Sequence, residues 1–344
     1  MDLKDAINVS ETSDHEVYTM RPLFQSDLKV LGIGASGQVY AVDEEIVLKS
    51  SRIYQRPGRK ELKSDHRHFA SDAIFHSGLL RNERYVLQLL QRWPHPHIME
   101  VIDTDHAEGV YLRRYQPLPT GERAVQSTRI RWYREIAEAL CHLQKLGIAH
   151  ADVWIDNILL DSQGSAILCD FSAASPFGQV NFVFEDMPLP VSGPSPTLSE
   201  ATDIFAMGSL IFEIEHGTRP NLSIYDGDLI LPDINTSHKG IATIIRNAWL
   251  GNYIHTSEML TSLQSLDTRS VQGLDDIYPS SISNALLKER VREWRESREI
   301  VRGCVLDNVL SEDQLQELGN RFGFSKDKDL IFNGHEVPFD IHHV

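Results

Sequence analysis

Between positions 150 and 170 lie three side chains whose types and spacing suit phosphoryl transfer. His150-Ala151-Asp152-Val153-Trp154-Ile155-Asp156-Asn157 reads H-x-D-x(4)-N, and thirteen positions after the asparagine comes Asp170-Phe171-Ser172. An aspartate such as Asp152 can accept the proton of an attacking hydroxyl. Asn157 and Asp170 offer hard oxygen ligands suited to Mg²⁺. The apolar runs Ile158-Leu159-Leu160 and Ile167-Leu168-Cys169 read as a hairpin turning at Gln163-Gly164, which would bring Asp170 back beside Asn157. H-x-D alone says little; the full pattern at this spacing is specific.

A phosphate donor also has to be held. Leu28 to Val42 reads as two β-type runs around Gly32-Ile33-Gly34-Ala35-Ser36-Gly37, with Val39 following in the pattern G-x-G-x-x-G-x-V. Glycines there let backbone close over phosphates without Cβ collisions, although the same turn would serve a plain hairpin. Lys49 ends the next apolar run, Glu45-Ile46-Val47-Leu48, where a lysine is ordinarily solvent-facing unless a carboxylate claims it. Residues 78–90 have helical spacing, with Leu79, Val86 and Leu90 on one face, and offer Glu83 as that partner. The helix is expected to end before Trp93-Pro94-His95-Pro96-His97-Ile98.

Taken in this order, the motifs resemble those of the eukaryotic protein kinase superfamily. The resemblance implies an α+β, bilobal protein-kinase-like fold, with a small β-rich N-lobe carrying the C-helix and a larger helical C-lobe. It implies ATP and Mg²⁺ as cofactors and a protein as substrate. Asp152 would be the base, Asn157 and Asp170 the metal ligands, and Lys49, paired with Glu83, the holder of the α- and β-phosphates. The segment Gly32, Ile33, Gly34, Ala35, Ser36, Gly37 and Val39 would cover the nucleotide. Ala201 to Ile214, stopped by Gly217, is similar to the family's D-x-W-x-x-G helix with Phe205 for Trp, so Asp203 is expected to brace the catalytic-loop backbone. Residues 173–200 correspond to the activation segment, with Ser175, Ser192, Ser195, Thr197 and Ser199 as candidate phosphorylation positions.

Four positions depart from the family pattern. Ala151 replaces the arginine of H-R-D, Trp154 the loop lysine, Ser172 the glycine of D-F-G, and Val47 the alanine above adenine. No A-P-E is present. Three functions stay open: a serine/threonine protein kinase, a pseudokinase scaffold, and a small-molecule phosphotransferase.

The remaining chain divides around this core. Residues 1–26 are polar and acidic and read as a flexible arm; 27–268 hold the kinase-like domain, with lobes at 27–115 and 116–268. The locally basic stretch from Ser51 to Lys60, and the residues up to 77, read as a solvated loop or a docking surface for an acidic partner. Strands are expected at Val101-Ile102-Asp103 and Val110 to Tyr115, the latter carrying Arg113-Arg114, an unusual charge beside an adenine pocket. Helices are expected from Arg129 to Leu146 and between Gly240 and Leu266. In the extension 269–344, helices near 283–303 and 311–322 are expected to pack on the lobe or regulate it. A formal charge of −16 over 344 residues argues against broad nucleic-acid or anionic-membrane binding. There is no apolar run long enough to span a bilayer and no apolar signal-peptide core at Met1-Asp2-Leu3-Lys4-Asp5. Cys141, Cys169 and Cys304 form no C-x-x-C pair, and the fifteen histidines read as solvated or capping groups. An intracellular setting, cytoplasmic or nuclear, is the expectation.

Overall fold

The computed structural model describes residues 19–34, 36–119, 124–180, 189–266, 282–325, 331–332 and 334–338. A β-rich N-terminal lobe adjoins a helical C-terminal one, the bilobal α+β arrangement implied by the motifs. The N-lobe sheet is antiparallel, with β2 (Val30–Ile33), β3 (Gly37–Ala41), β4 (Ile46–Ser51), β6 (Val101–His106) and β7 (Gly109–Arg113) in the order β2-β3-β4-β7-β6. Side chains alternate across a strand. On β4 this sends Ile46 and Leu48 to the outer face and Val47 into the main core.

β1 (Pro22–Leu23) pairs with β5 (Ile53–Tyr54), and the buried Gln25 exchanges hydrogen bonds with the backbone of Asp307. Residues 22–25, assigned by composition to the arm, are therefore held in the fold. Backbone pairing needs no hydrophobic period, so composition does not reveal it. A second correction concerns α1 (Lys63–Arg92), which starts fifteen residues before the expected Gly78. Phe69, Ala70 and Ile74 are buried and continue the stripe of Leu79, Leu80, Val86 and Leu87. Interspersed Ser64, Asp65, His66, His68 and Asp72 dilute that stripe in the sequence.

The C-lobe packs α2 (Gln126–Lys145), the single turn α3 (Leu189–Ser192), α4 (Glu200–His216), α5 (Lys239–Trp249) and α6 (Thr256–Gln264). Helix α4 is buried on nearly all sides, as a helix apolar all round must be. It is capped by Ser199 and stopped by Gly217 at φ 75°. Short strands line the cleft: β8 (Gln116–Pro117) and β11 (Ala166–Leu168) flank β10 (Ile158–Leu160), and β9 (Ile148–Ala149) pairs with β12 (Ser175–Pro176). Ser175 is buried in that pairing, its Oγ donating to the Ala173 carbonyl, so it is no accessible phosphorylation position. β13 (Ser223–Tyr225) and β14 (Asp228–Ile230) form a separate hairpin.

The extension returns to the N-lobe. Helix α7 (Asn284–Arg302) lays Leu287 and Val291 on the outer sheet face against Ile46, Leu48, Ile102 and Tyr111. Helix α8 (Glu312–Phe322) packs on α1, and Phe332 stacks on Tyr85 of α1 at 4.9 Å. Among the described residues no helix is long and apolar enough to cross a membrane.

Candidate active site

Four elements converge on the cleft. β4 delivers Lys49, whose Nζ donates to Glu83 Oε1 of α1 at 2.7 Å and to Asp170 Oδ1 at 2.9 Å. Burial alone would push this lysine's pKa down, but the facing Asp170 and Glu83 carboxylates outweigh it and the shift is upward. Glu83 Oε1 also accepts from Phe171 N at 3.3 Å, fixing α1 to the Asp170 segment. Asp170 is pulled down to about 2, because Lys49 and hydrogen bonds from Ser172 and Lys49 overcome its burial. It is ionised at any ordinary pH.

The catalytic-loop geometry follows from a ladder and a brace. Ile158 pairs with Leu168, and Cys169 N donating to the Asn157 carbonyl at 3.0 Å carries the ladder one step further. Asp170 thus returns beside Asn157, as the hairpin reading expects. Asp203 of α4 accepts from His150 N at 2.8 Å and Ala151 N at 2.9 Å, the bracing role the resemblance implies. Ala151 is held at φ 62° and Asp170 at φ 61°, a left-handed conformation uncommon outside glycine. Burial drives the His150 pKa down to about 4, so its ring is neutral, donating from Nε2 to the Cys169 carbonyl and accepting at Nδ1 from Asp152 N.

Asp152 accepts from Asn157 Nδ2 at 2.8 Å through Oδ2, and the same nitrogen donates to the Asp152 carbonyl at 2.9 Å. Burial and then the negative Asp170 push the Asp152 carboxyl up to about 7, where a proton acceptor is well matched to neutral pH. Both Asn157 bonds use its nitrogen, which leaves the amide oxygen for a cation. With the ionised Asp170 carboxylate this donor set fits Mg²⁺.

Over this centre lies the glycine turn. Gly34 N donates to the Gly37 carbonyl at 2.9 Å, and a Cβ on Gly34 would stand 3.9 Å from Asp170 Oδ2. Gly37 has a different reason to be glycine: a Cβ there would meet the Ser50 carbonyl of β4 at 2.3 Å. Gly32 faces open space, Ile33 is exposed, Ser36 is buried, and Val39 packs on the main core. Ala35 lies outside the described residues. Of the expected site residues, Lys49 bonds both Glu83 and Asp170, and Asp152 and Asn157 form a separate bonded pair.

One feature of the site is not singled out by the sequence. Arg52 donates from Nε and Nη2 to the Gly34 carbonyl at 2.9 and 2.7 Å, clamping the turn from behind. Its signal was the basic stretch after β4, which suits solvent equally well. The charge flagged at Arg113 and Arg114 is taken up by partners within the protein. Arg113 pairs with Glu100 at 2.5 Å and Arg114 donates to the Asp43 carbonyl at 2.9 Å.

A family profile described as protein kinase domain matches residues 25–248. Ribosomal protein S6 kinase alpha-4 of Homo sapiens is 26% identical over 217 residues, covering 56% of this chain and 26% of that protein. Serine/threonine-protein kinase AtPK1/AtPK6 of Arabidopsis thaliana is 27% identical over 212 residues, 57% of this chain and 42% of the relative. Serine/threonine-protein kinase ppk6 of Schizosaccharomyces pombe is 27% identical over 242 residues, 62% of this chain and 29% of the relative. The chain thus spans less than half the length of these relatives.

Proposed function

The chain belongs to the protein kinase domain family, and from that premise we propose that it transfers the γ-phosphate of ATP to serine or threonine hydroxyls of a protein substrate. The observation that carries this reading is the bonded set Lys49–Glu83–Asp170 beside Asp152–Asn157. Catalysis of phosphoryl transfer is mainly positioning and charge stabilisation, and these residues supply both. Lys49, oriented by Glu83, holds the donor phosphates; the Gly32–Gly37 turn covers them, steadied by Arg52. Asp152 orients the acceptor hydroxyl and takes its proton. Mg²⁺ bound by Asn157 and Asp170 would neutralise charge on the phosphates. The preference for serine and threonine is drawn from the names of the relatives.

The test offers Mg-ATP to the purified protein with a basic protein substrate, and separately with small alcohols and amines. Phosphoserine or phosphothreonine in the protein product is the expected result. Phosphorylation of small molecules alone would replace this reading with a small-molecule phosphotransferase. A melting temperature raised by Mg-ATP without any transfer would replace it with a nucleotide-binding scaffold.

A further inference from the structure

The loop from Asp152 to Asn157 carries two acids, Asp152 and Asp156, and no lysine or arginine. Yet the reaction gathers negative charge there, and Lys49 is already engaged by Glu83 and Asp170. A cation reaches the loop from elsewhere in the chain. Helix α4 stops at Gly217 in a left-handed turn, and the chain that follows lays Arg219 over the Trp154 ring, its guanidinium carbon 4.1 Å from the ring centroid. Cations are drawn to the face of an indole, so Trp154 is a platform for this charge. The platform is itself fixed: Trp154 lines a small cavity with Val153, Pro190, Val191 and Leu210, between the loop, α3 and α4. Among the described residues Arg219 has a loose ion pair with Glu213 at 3.6 Å, and its side chain is 47% exposed. It is therefore open to an arriving substrate.

We propose that Arg219, carried on Trp154, is a positioning residue for phosphoryl transfer that supplies the positive charge missing from the catalytic loop. The inference rests on the kinase reading above. In the step it serves, the acceptor oxygen forms a bond to the γ-phosphorus while the bond from that phosphorus to the β-phosphate oxygen breaks. The electron pair leaves with ADP, and the hydroxyl proton passes to Asp152. The neutral His150 ring accepts from the Asp152 N–H, and Asp203 holds the two residues before it. Removing Arg219 takes away the cation carried on the loop's own tryptophan, so charge that gathers there in the transition state loses stabilisation.

The test measures kcat and KM for wild type, Arg219→Gln, Arg219→Lys, and Arg219→Gln combined with Trp154→Lys, with melting temperatures alongside. Arg219→Gln is expected to lower kcat about tenfold or more, by analogy with loss of a charge-stabilising donor. Arg219→Lys and the double variant, which returns a cation to the loop, should recover most of the rate. An Arg219→Gln enzyme with unchanged kcat overturns the proposal while leaving the kinase reading intact. A loss that neither lysine variant restores overturns it in favour of a structural role. Absence of transfer by the wild type overturns both.

Discussion

Truncating Leu287 to alanine tests whether the C-terminal extension is part of the catalytic lobe's core. Leu287 and Val291 of α7 are fully buried and pack on Ile46 and Leu48, which flank Val47 and precede Lys49 on β4. Leu→Ala at a fully buried site costs about 2–5 kcal/mol, and the cost rises with the cavity left behind. The neighbours here are side chains of a hydrogen-bonded sheet, which cannot collapse far, so about 3–4 kcal/mol is the expected loss. That is a large part of the roughly 5–15 kcal/mol by which a domain is stable. Leu286, one position away and 53% exposed, provides the control, and Leu286→Ala should stay within about 0.5 kcal/mol. Urea unfolding of both variants and wild type reads the difference. The Mg-ATP concentration that half-saturates the melting shift should rise for Leu287→Ala, because the sheet that presents Lys49 loosens. Equal stability of the two variants would refute the packing argument.

Other outcomes follow from the same geometry. Asp203→Ala leaves the buried His150 and Ala151 N–H groups unsatisfied, an expected cost of about 2–4 kcal/mol in denaturant unfolding, with transfer activity lost in parallel. Gly37→Ala should destabilise by about 1–3 kcal/mol through collision with the Ser50 carbonyl, whereas Gly32→Ala, facing open space, should leave the unfolding midpoint nearly unchanged. Asp152 must be ionised to accept a proton and its pKa is raised to about 7, so kcat should fall as pH drops through that value. A rate profile flat from about pH 6 to 8 would contradict that assignment.

Much of the site was legible because its parts depend on local spacing. The hairpin between Asn157 and Asp170 is fixed by the short runs on either side of Gln163-Gly164, and the Lys49–Glu83 pair by a strand end and a helical stripe. The extension's helices were also expected near 283–303 and 311–322; Ser283 and Ser311 cap α7 and α8, and Gly303 and Gly323 stop them at φ 80° and 74°. What escaped depends on tertiary partners. The first turns of α1 are helical because Phe69, Ala70 and Ile74 find a core, which polar neighbours conceal in the sequence. Arg219 lies sixty-five residues from Trp154, and no local pattern links them. The brace from Asp203 was expected, but not the left-handed Ala151 at φ 62° whose N–H it holds.

The most direct test of the kinase reading is γ-phosphate transfer to a protein substrate by wild type and Asp152→Asn, with the melting shift by Mg-ATP measured on both. The geometry predicts that both bind Mg-ATP, through Lys49, Asn157 and Asp170, while Asp152→Asn loses about a hundredfold or more in rate. Transfer by Asp152→Asn at the wild-type rate, or a wild type that binds Mg-ATP and transfers nothing, would contradict it.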